Sequence, residues 1–178
     1  FYGIAGPSQS TGLYAPYVAN FIDFLTKAKN LEIYVIATID EFPKNVGYYS
    51  IAYSGLLPNI EGYASYYMQP GFVQAKASYA AALVQAVKNV QSGELLSTVF
   101  SWEIQNEIYV FRSEKPFSMS SGAISTAGGL TYDMAIPADR QQAMDASVVN
   151  WANAAASAIR SVDPNAMVSA STFTFGAV

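Results

Sequence analysis

The sequence predicts an α/β fold in which parallel strands alternate with helices. Segments of strand-like and helical periodicity alternate along the 178 residues, 52% of the residues are hydrophobic, and only 12% are charged. Alternating strands and helices form a parallel sheet with right-handed crossovers. The long irregular segments follow the predicted strands, at the sheet edge where α/β proteins build their functional sites.

The first half of the chain predicts a strand end, a helix and a strand. The strand end is expected at residues 1–5, and a helix from Pro16 to Lys29 carries apolar residues at helical spacing. Residues 31–39 are nearly all apolar and rich in β-branched side chains, which predicts a strand covered on both faces. Residues 43–71 are rich in Tyr, Gly and Pro and predict a long loop with short helical pieces.

The second half continues the alternation. An amphipathic helix is predicted over Val73–Val90, and a strand over about 95–105. Residues 108–136 predict another long loop, whose SSGAISTAGG run lacks the Lys of a P-loop and is interpreted as a flexible turn region. Pro137 begins a third helix, which an Asp-Pro-Asn run ends, and AMVSASTFTF predicts a last strand.

Composition and charge exclude several classes of function. The net charge is -4, and the nine Lys and Arg residues form no basic cluster, so nucleic acid is not an expected partner. No apolar run reaches the roughly 18 residues of a membrane span. Because the chain has neither Cys nor His, it cannot by itself assemble a Ser-His-Asp triad, a Cys nucleophile or a zinc-finger site. Acid–base chemistry must use carboxylates, Tyr or Lys, and the sequence predicts no cofactor and no metal.

The segment TVFSWEIQNEIYVF, residues 98–111, holds the main candidate site. It predicts a buried strand whose carboxyl end is Asn106-Glu107. An amide can donate to and accept from a sugar hydroxyl, and a carboxyl at this edge is placed for acid–base work. Strict strand alternation would direct the two side chains to opposite faces, so we expect the strand to end or twist there.

Other acidic residues surround this pair in the predicted fold. Asp40 and Glu41 end the preceding strand at the same edge, and we expect them to contact substrate or cap a loop; an inverting pair with Glu107 is the alternative. Glu103 lies inside the apolar run, where a carboxylate needs either an Arg or another donor inside the sheet as its partner, or a solvated edge position. Glu103 and Trp102 are expected to stabilise the residues that contact the ligand rather than to contact the ligand themselves.

Aromatic residues are the remaining candidates for ligand contact. The loop over 43–71 contains many Tyr residues, whose rings either stack on a sugar face or pack the loop onto the sheet. Trp151 and Trp102 lie on an inward helix face and in a strand, and both are predicted to belong to the core.

The run WEIQNE resembles the acid/base motif of clan A glycoside hydrolases, the retaining (β/α)8 TIM barrel enzymes, and is most similar to the cellulase-like family 5. In that family the motif ends the fourth barrel strand. IYVIATIDEF resembles the third strand, MVSASTF the fifth, and residues 1–5 the end of the second. The resemblance therefore implies a partial TIM barrel, with residues 1–178 forming a single incomplete catalytic domain that is cut at both ends.

The resemblance also implies an activity. Glu107 would be the general acid/base, Asn106 would bind the sugar 2-hydroxyl, and the nucleophile, at the end of the seventh strand, would lie outside this chain. The expected reaction is retaining hydrolysis of a β-glucan or β-mannan type substrate, with the isolated segment inactive. A secreted or extracellular location is favoured by the same resemblance.

Two alternatives remain open. The chain could belong to a carbohydrate-binding barrel relative that lacks the nucleophile. It could also be an unrelated α/β domain in which Asn106-Glu107 is a chance loop start; in that case Glu107 is expected to point into solvent, away from any cleft.

Overall fold

The computed structural model describes residues 3–7, 10–40 and 42–172. In chain order, the helices and strands are α1 (Ala15–Asn30), β1 (Val35–Thr38), α2 (Val46–Ala52), α3 (Ala64–Met68), α4 (Pro70–Lys88), a 3-10 helix (Gln91–Thr98), β2 (Val99–Glu103), β3 (Ala123–Ser125), β4 (Thr131–Asp133), α5 (Pro137–Val162) and β5 (Val168–Ser169). Within these residues, no helix is both long and apolar enough to cross a lipid bilayer.

A small parallel sheet organises the described part of the chain. Its strands follow the order β1-β2-β5, with Thr38 opposite Glu103 and Glu103 opposite Ser169. The spatial order of the strands is their chain order, as in a segment of a barrel. The described strands do not close into a barrel, and the partial TIM barrel stays a prediction.

The three long helices confirm the helical periodicity seen in the sequence. Each has a proline in its first turn, where the missing N–H costs no hydrogen bond. In α1 the buried positions Val18, Phe21, Leu25 and Ala28 recur every three or four residues and form its inner stripe. Because this pattern is local, the sequence alone placed α1, α4 and α5 to within a few residues.

One face of the sheet packs on the helices. Val35 and Ala37 of β1 and Trp102 of β2 are buried, as is Ile104 just beyond β2. The ring of Trp102 meets that of Phe21 edge-on, with 6.2 Å between centroids. Trp102 is therefore a core residue, as predicted.

The opposite face of the sheet carries polar side chains joined across the strands. We call it the polar sheet face and define it by Thr38, Ser101, Glu103, Ser169 and Ser171. The hydroxyls of Ser101 and Ser169 are 2.9 Å apart, and Thr38 donates to the Glu103 carboxylate. The prediction that β1 is covered on both faces is wrong for the described structure, since helices cover only one side and Ile36 is 60% exposed.

The observed strands are shorter than the sequence predicted. Residues 31–34 extend the end of α1 as a turn, in which Ile33 donates its N–H to Ala28 and Glu32 is left-handed with φ 57°. Residues 91–98 form 3-10 turns rather than the start of β2, and the positive φ of Ser92 and Gly93 kinks this segment.

The predicted strand end at residues 1–5 is not observed where the structure describes it. Residues 3–5 form a turn, in which Gly3 has φ 90° and accepts from the N–H of Gly6. Residues 1 and 2 lie outside the described ranges. At the other end, β5 occupies two residues of the predicted last strand, and the residues after 172 are not described.

The two predicted long loops contain regular structure. The first holds α2 and α3, as the expectation of short helical pieces anticipated. The second was predicted to be irregular and instead contains the antiparallel hairpin of β3 and β4, with Ile124 opposite Tyr132. Both of these side chains are buried, so the hairpin is held by packing that spacing alone did not reveal.

Candidate functional site

A cleft of about 290 Å³ opens at the carboxyl edge of the parallel sheet. Its lining combines polar residues that follow β1 and β2 with aromatic rings. The lining residues are Asp40, Phe42, Lys44, Tyr63, Tyr66, Tyr67, Lys76, Gln105, Asn106, Glu107, Tyr109 and Trp151. The structure thus brings together Asp40, Asn106 and Glu107 of the predicted site.

Asn106 and Glu107 lie in a bulge beyond the end of β2. The N–H of Ser171 donates to the carbonyl of Gln105 over 3.1 Å, and the carbonyl of Ser171 accepts from the N–H of Ile108 over 2.9 Å. Regular parallel pairing would leave one residue between these two hydrogen bonds, whereas here there are two. Asn106 and Glu107 therefore stand together opposite Ser171.

This bulge resolves the alternation problem posed by the adjacent pair. β2 ends at Glu103, as expected, and Glu107 adopts the left-handed conformation with φ 53°. A bulge re-aims the side chains on its strand. Both Asn106 and Glu107 are exposed, and both line the cleft. Glu107 is thus exposed but borders a cleft, whereas a chance Asn-Glu pair was expected to lie away from any cleft.

Glu103 takes hydroxyl partners from the two neighbouring strand segments. Its Oε2 accepts from Thr38 Oγ1 over 2.7 Å, and its Oε1 accepts from Ser171 Oγ over 3.2 Å. The expectation that Glu103 finds an Arg or another donor inside the sheet is confirmed for the described residues, where the donors are hydroxyls on the polar sheet face. Glu103 therefore supports the segment that carries Asn106 and Glu107.

Asp40 is held at the edge of the cleft by Gln105. The side-chain amide of Gln105 donates to Asp40 Oδ1 and also to the backbone carbonyl of Asn106, the latter over 3.2 Å. Asp40 is thereby linked to the backbone of the candidate catalytic segment. Glu41, predicted alongside it, lies outside the described residues.

Trp102 and Trp151 differ in their relation to the cleft. Trp102 lies on the helix-facing side of the sheet and does not line the cleft. Trp151, on α5, is almost fully buried yet forms part of the cleft wall, where its ring meets Tyr67 edge-on at 5.3 Å. The core prediction for Trp151 is confirmed, and its position at the cleft was missed.

The aromatic residues that line the cleft contact one another through their rings. Tyr63 and Tyr109 are tilted by 36° with centroids 4.7 Å apart, and Phe42 stacks on Tyr66 at 5.4 Å. Tyr residues of the first long loop therefore pack against one another and also line the cleft, and their stacking on a sugar stays a prediction. Flat rings with a hydroxyl suit the apolar face and the polar rim of a sugar.

Two of these phenols are held in the neutral form. A hydrogen bond with Tyr63, together with partial burial, raises the pKa of Tyr109 to about 12. Burial raises the pKa of Tyr67 well above its usual range. Near neutral pH both hydroxyls can donate and accept hydrogen bonds but cannot serve as bases.

Lys76 is a cleft residue that the sequence reasoning missed. It lies on α4, is only 2% exposed, and its ammonium donates to the carbonyl of Ile39 over 2.6 Å. A signal was present: Lys76 is three residues after Val73 and four before Ala80, and both of these are buried apolar positions. A lysine at such a spacing must find a partner for its charge.

A second cavity of about 410 Å³ adjoins the cleft. The two share Asp40, Phe42 and Lys44, and the second extends past Pro43 to Tyr17 and the turn at Gly3–Gly6. The carboxyl end of β1 thus lies between two connected concave surfaces.

No protein-family model matches this chain, and no curated protein or solved structure matches it significantly. The resemblance to clan A glycoside hydrolases therefore remains a prediction that rests on the residues of the chain. A function for this chain is therefore inferred from the geometry of the cleft.

Proposed function

We propose that this chain carries the acid/base half of a retaining glycoside hydrolase site, within a partial TIM barrel. The observation that carries the proposal is the bulge opposite Ser171, which places Asn106 and Glu107 side by side in a cleft at the carboxyl edge of the sheet. In α/β barrels this edge is where catalytic residues stand. The chain-order arrangement of β1, β2 and β5 is the one that a barrel segment needs.

The surroundings of the pair suit a carbohydrate. Neutral Tyr hydroxyls and aromatic rings line the cleft together with carboxylate and amide groups. Such a mixture can stack on a pyranose ring while hydrogen-bonding its hydroxyls. We propose that the substrate is a β-linked glucan or mannan and that the protein is secreted.

In the proposed reaction Glu107 acts twice. It first protonates the oxygen of the leaving sugar while a nucleophile attacks the anomeric carbon, and it then removes a proton from the water that releases the glycosyl-enzyme. The nucleophile is a carboxylate supplied from outside residues 1–178. Asn106 binds the hydroxyl next to the anomeric carbon, where a hydrogen bond that strengthens in the transition state accelerates both steps.

The test is Glu107→Gln in the full-length gene product, assayed on β-glucan and β-mannan oligosaccharides. We expect kcat to fall about 100- to 10,000-fold, because the substrate loses its proton donor, while oligosaccharide binding persists. The loss should be smaller on an aryl glycoside with an acidic leaving group, since such a group departs without protonation. The first product should keep the anomeric configuration of the substrate.

Glu94→Gln is the matched control. Glu94 is an exposed glutamate that pairs with Lys29, and it is not among the residues that line the cleft, so its variant should hydrolyse substrate at the wild-type rate. Full turnover by Glu107→Gln contradicts the acid/base assignment. An inverted product contradicts the retaining reaction and favours a pairing of Glu107 with a more distant carboxylate such as Asp40. Binding without turnover in the wild type favours the carbohydrate-binding alternative.

A further inference from the structure

The bulge at Asn106-Glu107 removes the usual backbone acceptor of one N–H group, and a side-chain hydroxyl takes its place. In a regular parallel ladder the N–H of the residue at position 107 would donate to the carbonyl of Ser171. Because of the extra residue, Ile108 takes that acceptor instead. The displaced N–H of Glu107 donates to the hydroxyl oxygen of Ser171 over 3.2 Å.

The same hydroxyl also contacts two further groups of the site. Ser171 Oγ is 3.2 Å from Glu103 Oε1 and 3.3 Å from Asn106 Oδ1, both of which are acceptors. A serine hydroxyl has one proton, so it donates to one of them at a time while its lone pairs receive the Glu107 N–H. The Ser171 hydroxyl therefore lies within hydrogen-bond distance of Glu103, Asn106 and Glu107.

Glu103 is the stronger of the two acceptors for the Ser171 proton. Its carboxylate is anchored on the other side by Thr38, and a charged acceptor holds a hydroxyl proton more strongly than a neutral amide does. With the proton of Ser171 directed to Glu103, the lone pairs face the Glu107 N–H. The Ser171 proton is then not shared with the Asn106 amide, whose polar atoms stay available to a ligand.

We propose that Ser171 is a positioning residue for the catalytic pair. Its hydroxyl accepts the displaced N–H and so stabilises the left-handed backbone at Glu107, which keeps the acid/base residue beside Asn106 at the cleft. The proposal rests on the proposed function for its kinetic consequence, although the hydrogen bond itself can be tested without any substrate.

The kinetic test compares Ser171→Ala, Ser171→Thr and Ser169→Ala in the full-length gene product. Ser169 is the matched control, because it lies two residues earlier on the same face and contacts Ser101 rather than the catalytic pair. We expect Ser171→Ala to lower kcat about 10- to 100-fold, since a misaimed acid loses that much, with KM changed by less than about 3-fold. Ser171→Thr keeps the hydroxyl and should recover most of kcat, and Ser169→Ala should stay within about 2-fold of wild type.

The second measurement is hydrogen exchange at the Glu107 amide, followed by NMR with isotope-labelled glutamate. Ser171→Ala should speed this exchange, whereas Ser171→Thr and Ser169→Ala should leave it unchanged. Equal exchange in Ser171→Ala and Ser169→Ala overturns the proposal, as does a Ser171→Ala enzyme with wild-type kcat. If the wild-type protein hydrolyses no β-glycoside, the proposed function fails, and the exchange measurement alone decides whether Ser171 holds the bulge.

Discussion

The ammonium group of Lys76 donates to the backbone carbonyl of Ile39 over 2.6 Å, joining α4 to the residue just after β1. Ile39 also donates its N–H to the carbonyl of Glu103, so this short segment connects the helix to β2. Asp40 follows directly and lines the cleft. A buried lysine therefore helps to hold the carboxyl edge of the sheet on which the candidate site is built.

Replacing Lys76 with Met should destabilise the protein. Met fills similar volume, but the buried carbonyl of Ile39 loses its donor, and an unsatisfied buried acceptor costs about 1–3 kcal/mol. Lys88→Met is the control, because Lys88 donates to a backbone carbonyl from the same helix but at an exposed site. Denaturant unfolding of the full-length protein measures the difference, and equal midpoints for the two variants would contradict the role given to Lys76.

The hydrogen bond between Tyr63 and Tyr109 should control the titration of Tyr109. Tyr63→Phe removes the largest cause of the raised pKa, so we expect the pKa of Tyr109 to fall from about 12 toward the ordinary value of 10. NMR of ring-labelled tyrosine measures it, with the Tyr109 resonance assigned by Tyr109→Phe. Tyr34→Phe removes an exposed phenol elsewhere and should leave that resonance unchanged.

The same pKa gives the sign of a pH effect on stability. Between pH 10 and about 12 the unfolded chain releases the Tyr109 proton while the folded chain keeps it, so rising pH favours unfolding in this window. Tyr109→Phe should therefore lose less stability than wild type as the pH is raised from 10 to 12. Parallel losses in the two proteins would show that Tyr109 does not contribute.

Gly71→Ala should disturb the contact between α2 and α4. A Cβ at Gly71 would lie 2.5 Å from the carbonyl oxygen of Ala52 and closer still to that of Ile51, and neither backbone group can turn aside. We expect a loss of about 1–3 kcal/mol or more, measured as a lower thermal midpoint. At Gly128 the nearest atom is 3.8 Å away, so Gly128→Ala should unfold close to the wild-type midpoint.

Residues 1–178 expressed alone should not hydrolyse β-glycosides. A complete barrel needs eight strands and about 250 residues, whereas the described sheet ends at β1 and β5. The proposed nucleophile lies outside these residues, so there is no attack on the anomeric carbon for Glu107 to assist. Assaying the segment beside the full-length protein measures this, and turnover by the segment would overturn the nucleophile assignment.

Local pattern was enough to predict much of the fold. Apolar spacing located α1, α4 and α5, with a first-turn proline as a further signal for α1 and α5, because helices are held by hydrogen bonds within about four residues. The apolar run before Asn106 likewise located β2 and its carboxyl end. The hairpin of β3 and β4 was missed, because each strand has only three residues with one buried position, Ile124 or Tyr132, which is too short for a periodic pattern.

By itself, the sequence determined that an apolar strand ends on Asn106-Glu107 in an alternating α/β chain. Only the tertiary structure decided that the two side chains share one cleft, because that depends on a bulge paired with Ser171, about 65 residues further along. It also decided the partners of Glu103 and the backbone carbonyl to which Lys76 donates. Strand register and side-chain partners of this kind arise from distant segments meeting in space, and no periodicity within either segment encodes them.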